Sequence, residues 1–169
     1  MVTDDELIQG FEAASLPSFT HADRAALPLE SQSATEGTGL RYFNGIGGFN
    51  GNDEYEIRLD GNRLPPAPWI NVIANPSGGL TVSESGSGCT WIASGSSFRL
   101  TPWHNDPVSD APGDCIYLRD EETGHLWSPT PAPIREGTRY TIRHGAGYST
   151  FEHTHGEVRS VLRVGMPPD

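Results

Sequence analysis

The chain has 169 residues, with 11 Lys plus Arg set against 22 Asp plus Glu, a formal net charge of -11. Every one of the cations is arginine. The length suits one domain, and an acidic surface of this size repels phosphate backbones and anionic headgroups, which argues against nucleic acid or a membrane surface as partner.

Residues 4–14 come first. Thr3 and Glu6 have capping-box spacing ahead of Leu7, Ile8, Phe11 and Ala14, which recur on one helical face, so the pattern predicts a short N-terminal helix. Residues 15–39 mix Pro, Ser and Thr with little periodicity and read as a linker or arm. The start of the chain lacks a basic segment followed by an apolar core, and no apolar run approaches the ~20 residues of a membrane helix.

From residue 40 to 169 the texture changes to short strand-like runs between Gly, Pro, Asn and Asp. Strands are expected at 40–43, 55–59, 69–74, 80–85, 89–93, 97–100, 115–119, 140–144, 148–153 and 157–164. Tyr55-Glu-Ile-Arg-Leu59 alternates cleanly, whereas Trp69-Ile-Asn-Val-Ile-Ala74 is more continuous and reads as an inner strand. No second long helix interrupts the run, so the reading is an all-β antiparallel β-sandwich. The two cysteines, Cys89 and Cys115, are read as thiols in strand-like segments rather than as a bridge.

Several motifs carry chemistry to be weighed. His144, His153 and His155 suggest a cupin-like metal site. His153 and His155 share one side of a strand, with Glu157 on that side too if the strand continues, although a cupin places its glutamate later. Ser85-Gly86-Ser87-Gly88 is no nucleophile elbow, since no helix follows it, and Gly45-Ile-Gly47-Gly48 is no dinucleotide loop. Asp106 with Asp110, and Glu121 with Glu122, are the candidate carboxylate pairs; the latter sit in what reads as a hairpin turn, and neither pair has surroundings that suggest an acid–base role. In the stretch 99–108, an aromatic ring stands beside Arg, His, Asn and Asp. Such a ring stacks on the apolar face of a pyranose while polar neighbours bind its hydroxyls.

Taken together, Tyr42-Phe-Asn-Gly-Ile-Gly-Gly-Phe49, Pro66-Ala-Pro-Trp-Ile-Asn-Val-Ile-Ala-Asn75, Ser83-Glu-Ser-Gly-Ser-Gly-Cys-Thr-Trp91, Arg99-Leu-Thr-Pro-Trp-His-Asn-Asp-Pro107, Tyr117-Leu-Arg-Asp-Glu-Glu-Thr-Gly124, Trp127-Ser-Pro-Thr130 and Arg143-His-Gly-Ala-Gly-Tyr148 resemble the start of the glycoside hydrolase family 94 module. That family was formerly glycosyltransferase family 36, and the likeness is to the version in cyclic β-1,2-glucan synthases. The resemblance implies part of a galactose-mutarotase-like supersandwich. It further implies a parent that acts on β-linked glucose chains through an aspartate in a C-terminal helical barrel. That aspartate carries over to no position here, so the expected role is non-catalytic: a carbohydrate-binding or scaffold domain without cofactor or metal. Arg99, Trp103, Asn105, Asp106, Arg143 and His144 are the motif residues assigned to carbohydrate contact. The expected partners are a β-linked gluco-oligosaccharide, the parent's barrel and a second copy in a homodimer. The expected setting is cytoplasmic, without direct membrane contact, the parent itself lying at an inner membrane.

Overall fold

Strict alternation builds the main sheet. In Tyr55–Leu59, Ile57 and Leu59 are fully buried while Glu56 and Arg58 point the other way. Tyr140–Gly145 repeats the pattern with Tyr140 and Ile142, and Tyr148–His155 with Ser149, Phe151 and His153. A computed structural model of the chain describes residues 39–167; the helix expected at 4–14 and the arm as far as residue 38 lie outside the described residues.

Among the described residues the strands are β1 (Gly47–Phe49), β2 (Tyr55–Leu59), β3 (Ile70–Asn75), β4 (Gly78–Ser83), β5 (Gly88–Ile92), β6 (Leu118–Arg119), β7 (Leu126–Trp127), β8 (Tyr140–Gly145), β9 (Tyr148–His155) and β10 (Val158–Gly165). All pair antiparallel, in a five-stranded sheet ordered β1-β2-β8-β9-β10, a three-stranded sheet β3-β4-β5 and a β6-β7 hairpin. The described fold is therefore all-β and carries the antiparallel sandwich that the sequence predicts.

Register explains the core. Ile57, Ile142, Phe151 and Leu162 stand opposite one another across four adjacent strands, forming one apolar row. From the smaller sheet, Ile73, Leu80 and Val82 pack against that row. Asn71 fastens the two layers together. Its Nδ2 lies 3.0 Å from Gly145 O, 2.9 Å from Tyr148 O and 3.1 Å from Ser149 Oγ. A polar cross-link at this depth fixes how one sheet sits on the other, because an unpaired amide there would carry a desolvation cost.

Some expectations need correcting. Residues 69–74 do not form an inner strand: β3 is an edge, and its continuous apolar run serves two faces, with Ile73 buried while Ile70 and Val72 are exposed. Residues 40–43 and 97–100 contribute only isolated bridges, Arg41 to Phe49 and Arg99 to Trp91. Both cysteines are free thiols, but exposed Cys115 lies outside any strand, whereas Cys89 is buried in β5. The turn at 120–125 forms as read. The Asp120 carboxylate accepts the N–H groups of Glu122 and Thr123 and the Thr123 hydroxyl.

Candidate functional site

The long connection between β5 and β6 leaves the sheet in a fixed way. Leu100 N donates to Thr90 O at 2.8 Å and Thr90 N to Thr101 Oγ1 at 2.8 Å. Just past this anchor, the Arg99 guanidinium lies over the Trp103 ring, 5.6 Å from its centroid, while Arg99 Nε donates to Gly95 O. A cation over the face of an indole holds the ring without burying it. Trp103 stays 41% exposed. Asn105, at φ 50°, turns the chain in the left-handed region that asparagine tolerates. Asp106 then caps the turn: Oδ1 accepts Val108 N at 2.9 Å and Oδ2 accepts the Ser109 hydroxyl at 2.6 Å. The Ser109 hydrogen bond, followed by that of Val108, holds the Asp106 carboxyl below its ordinary range. Asp110 faces elsewhere, accepting the hydroxyls of Ser83 and Ser85.

The other two residues expected to contact carbohydrate lie on β8 and point to opposite sides of it. Arg143 sits between two carboxylates, with Nε 2.9 Å from Glu56 Oε2 and Nη1 2.5 Å from Glu152 Oε2. Arg58 and Arg159 extend this into a five-member network over the face away from the core. Because Glu56 is buried, replacing Arg143 leaves it with Arg58 alone. Arg143→Met is expected to cost about 1–2 kcal/mol in urea denaturation, below the usual figure for a fully buried pair because Arg143 is partly solvated. His144 faces inward. Its Nδ1 is 2.8 Å from Ser149 Oγ and its Nε2 3.1 Å from Trp69 O, so it ties β8 to β9 and to the lead-in of β3. Thus the structure brings Arg99 and Trp103 together on one loop, with Asn105 and Asp106 just beyond, and gives Arg143 and His144 internal partners.

The cupin-like metal arrangement does not form. His144 is paired with Ser149, six residues from His155 along β9 and so about 20 Å away. Glu157 lies in the β9–β10 turn instead of continuing the strand. His153 is buried, stacked on Tyr140 at 4.0 Å, with Nε2 2.8 Å from Thr138 Oγ1. Burial pushes the Tyr140 phenol up to about 12. His155 and His125 instead converge on buried Glu136: His155 Nδ1 is 2.8 Å from Oε2 and His125 Nε2 is 2.7 Å from Oε1. Their ligand-type atoms fall within 4.8 Å of one another. The two imidazoles, however, lie face to face at 4.3 Å with only 7° between their planes. A metal takes the nitrogen lone pair in the plane of each ring, and two stacked planes share no such point. Glu136 is therefore the acceptor fork for two imidazole N–H groups, and Trp127 stacks on His155 beside it.

Burial lowers both His144 and His153 below their ordinary 6.5. The unfolded chain therefore takes up protons that the fold refuses. Their contribution is complete above pH 6.5 and declines as pH falls below it. The carboxyls lowered by hydrogen bonds, Glu54 from the Tyr148 hydroxyl and Glu152 from the Arg143 guanidinium, lose theirs only as pH falls below about 4.5. The two histidines are expected to lower the melting temperature as pH falls from 7.5 to 5.5, so a His144→Gln, His153→Gln double variant should lose less on acidification over that interval than wild type.

Sequence reasoning missed His125, Glu136 and Glu84. His125 and Glu136 lie in connections without a regular pattern, and only the fold brings them beneath β9. Glu84 falls within the strand expected at 80–85, but β4 stops at Ser83, and in the turn that follows the Glu84 carboxyl is buried and Oε2 accepts Trp69 N at 2.7 Å. Desolvation raises it above its ordinary range.

Comparison with known proteins gives this geometry a context. Residues 53–169 match the family described as Glycosyl hydrolase 94, supersandwich domain. The chain is 39% identical over 146 residues to cyclic beta-(1,2)-glucan synthase NdvB of Rhizobium meliloti (strain 1021), an alignment covering 85% of this chain and 5% of that protein. It is 34% identical over 122 residues to N,N'-diacetylchitobiose phosphorylase of Vibrio furnissii, covering 70% of the chain and 15% of the relative. With solabiose phosphorylase of Paenibacillus borealis the figures are 31% over 123 residues, 71% and 16%. The chain thus spans between a twentieth and a sixth of the length of these relatives.

Proposed function

Since the chain belongs to the glycoside hydrolase 94 family, as its supersandwich domain, we propose that it serves a glucan-processing protein as a non-catalytic β-domain that contacts β-linked glucose chains. The observation that carries this reading is Trp103, a large ring held by Arg99 on an anchored loop and left open to solvent. An indole buried as packing has no need of a guanidinium to hold it in place. Asn105 and Asp106 follow in the same loop and would supply the polar contacts such a site needs. Arg143 and His144 hold β8 in place through their carboxylate, hydroxyl and carbonyl partners. The names of the relatives, a β-(1,2)-glucan synthase and phosphorylases of sugars, support an oligosaccharide as partner. A helical barrel elsewhere in the whole protein would carry the chemistry. No helix among the described residues is long and apolar enough to cross a membrane.

One aromatic platform in a wet site gives weak binding, on the order of 0.1–1 mM, or about 4–5.5 kcal/mol. The test is an isothermal titration of wild type and Trp103→Ala with β-1,2-linked gluco-oligosaccharides. The variant is expected to keep the wild-type melting temperature and to lose about tenfold or more in affinity. Equal affinity in the two proteins would remove Trp103 from the site.

A further inference from the structure

Four connections distant in sequence meet at one side of the small sheet and enclose a cleft of about 460 Å³. They are the β2–β3 segment at 64–68, the turn at 84–85, the β5–β6 loop at 107–110 and the β7–β8 connection at 131–135. That volume lies in the range of small-molecule sites. The walls are unusually stiff. Pro65, Pro66, Pro68, Pro107 and Pro131 contribute rings whose backbone φ is fixed, so little order would be lost on binding.

The polar groups are few and convergent. Buried Glu84, the Asp110 carboxylate, the Ser85 hydroxyl and the Arg135 guanidinium line the same space. Arg135 is itself positioned by the backbone: Nε donates to Gly61 O and Nη2 to Arg63 O, leaving Nη1 outside both bonds. Two carboxylates against one guanidinium disfavour an anion. Acceptors, a donor and a hydroxyl around proline rings suit a neutral ligand with many hydroxyls and apolar C–H faces.

We propose that this cleft binds a β-linked glucosyl unit, the Trp103 platform holding a neighbouring unit of the same chain. The inference rests on the glycan reading above and adds a second subsite to it. Continuity of the loop supports the pairing. Pro107 stands four residues after Trp103, hence within about 14 Å of it even in a fully extended chain. Asp106 fixes the turn between the two through Val108 and Ser109.

The test is an amide-resolved NMR titration of the whole chain with β-1,2-linked glucotetraose. The Ala67, Val108, Ser109 and Asp110 amides are expected to shift together with the Trp103 indole. Ala67→Trp, at an exposed wall position, is expected to fill the cleft and weaken binding by about fivefold or more. Glu84→Gln keeps the shape and is expected to weaken binding severalfold while melting no lower than wild type at pH 7, because it removes a carboxyl that burial disfavours. Shifts confined to the Trp103 indole and its neighbours, with both variants binding like wild type, would overturn the cleft and leave the glycan reading intact. No shift at any residue up to about 10 mM sugar would overturn both.

Discussion

Phe151→Ala is expected to cost about 3–5 kcal/mol in equilibrium denaturation, with an unchanged dependence on denaturant. The side chain is 1% exposed and sits in the apolar row between Ile142 and Leu162, under Leu80 and Val82 of the other sheet. The transfer of an aromatic ring accounts for part of the loss. The remainder comes from the hole left behind, which here cannot collapse easily. A cavity of about 140 Å³ already lies beside Phe151, lined among others by Leu80, Val82 and Leu162. Neighbours moving inward would widen that void instead of closing the new one. Phe151→Leu refills most of the volume and is expected to cost about 1–2 kcal/mol. A loss below about 1 kcal/mol for the alanine variant would mean that Phe151 is not central to the core.

The second large effect is expected from a single added methyl group. Gly88 begins β5 opposite Val82, and a Cβ built there would lie 1.9 Å from Thr81 O and 3.2 Å from Val82 Cα. Both neighbours are backbone, so no side chain can swing aside. Gly88→Ala must spread the β4–β5 ladder, and about 3 kcal/mol is expected, at the upper end of ordinary overpacking. The damage also reaches the candidate site. Thr90, two residues on, holds Leu100 and Thr101 at the root of the Trp103 loop. Gly88→Ala is therefore expected to weaken sugar binding as well as stability, whereas Phe151→Ala at low temperature, while still folded, should leave the loop and its affinity close to wild type. Thermal melts of both variants, followed by titration of the folded protein, separate the two behaviours.

How much of this was legible beforehand depends on the kind of contact. Alternation in 55–59 foretold a strand with one face on the core, because such a strand has a strict period of two. The same rule correctly placed His153 and His155 on one side of β9. It could not show that His144 opposes Ser149 instead of joining them, since register between strands lies in pairing and turn geometry. The run 69–74 was misread because hydrophobicity on both faces looks the same for an inner strand and for an edge strand with Ile70 and Val72 outward. Strands of two or three residues, such as Gly47–Phe49 and Leu126–Trp127, are too short to show a period. At the candidate site, the Trp103 loop was visible as an aromatic among polar residues, because its members are consecutive. The cleft was not, since Glu84, Asp110 and Arg135 approach only through the fold. The family likeness was legible throughout from residue 40 onward, and the match over 53–169 agrees with it.

The deciding question is whether this β-domain holds sugar by itself. An isothermal titration of the unmodified chain with β-1,2-linked gluco-oligosaccharides, the sugar then recovered and sized, answers this. Saturable heat with a dissociation constant on the order of 0.1–1 mM, and oligosaccharide returned unchanged in length, is the predicted result. No heat up to about 10 mM, or shortened sugar in the recovered sample, would contradict it.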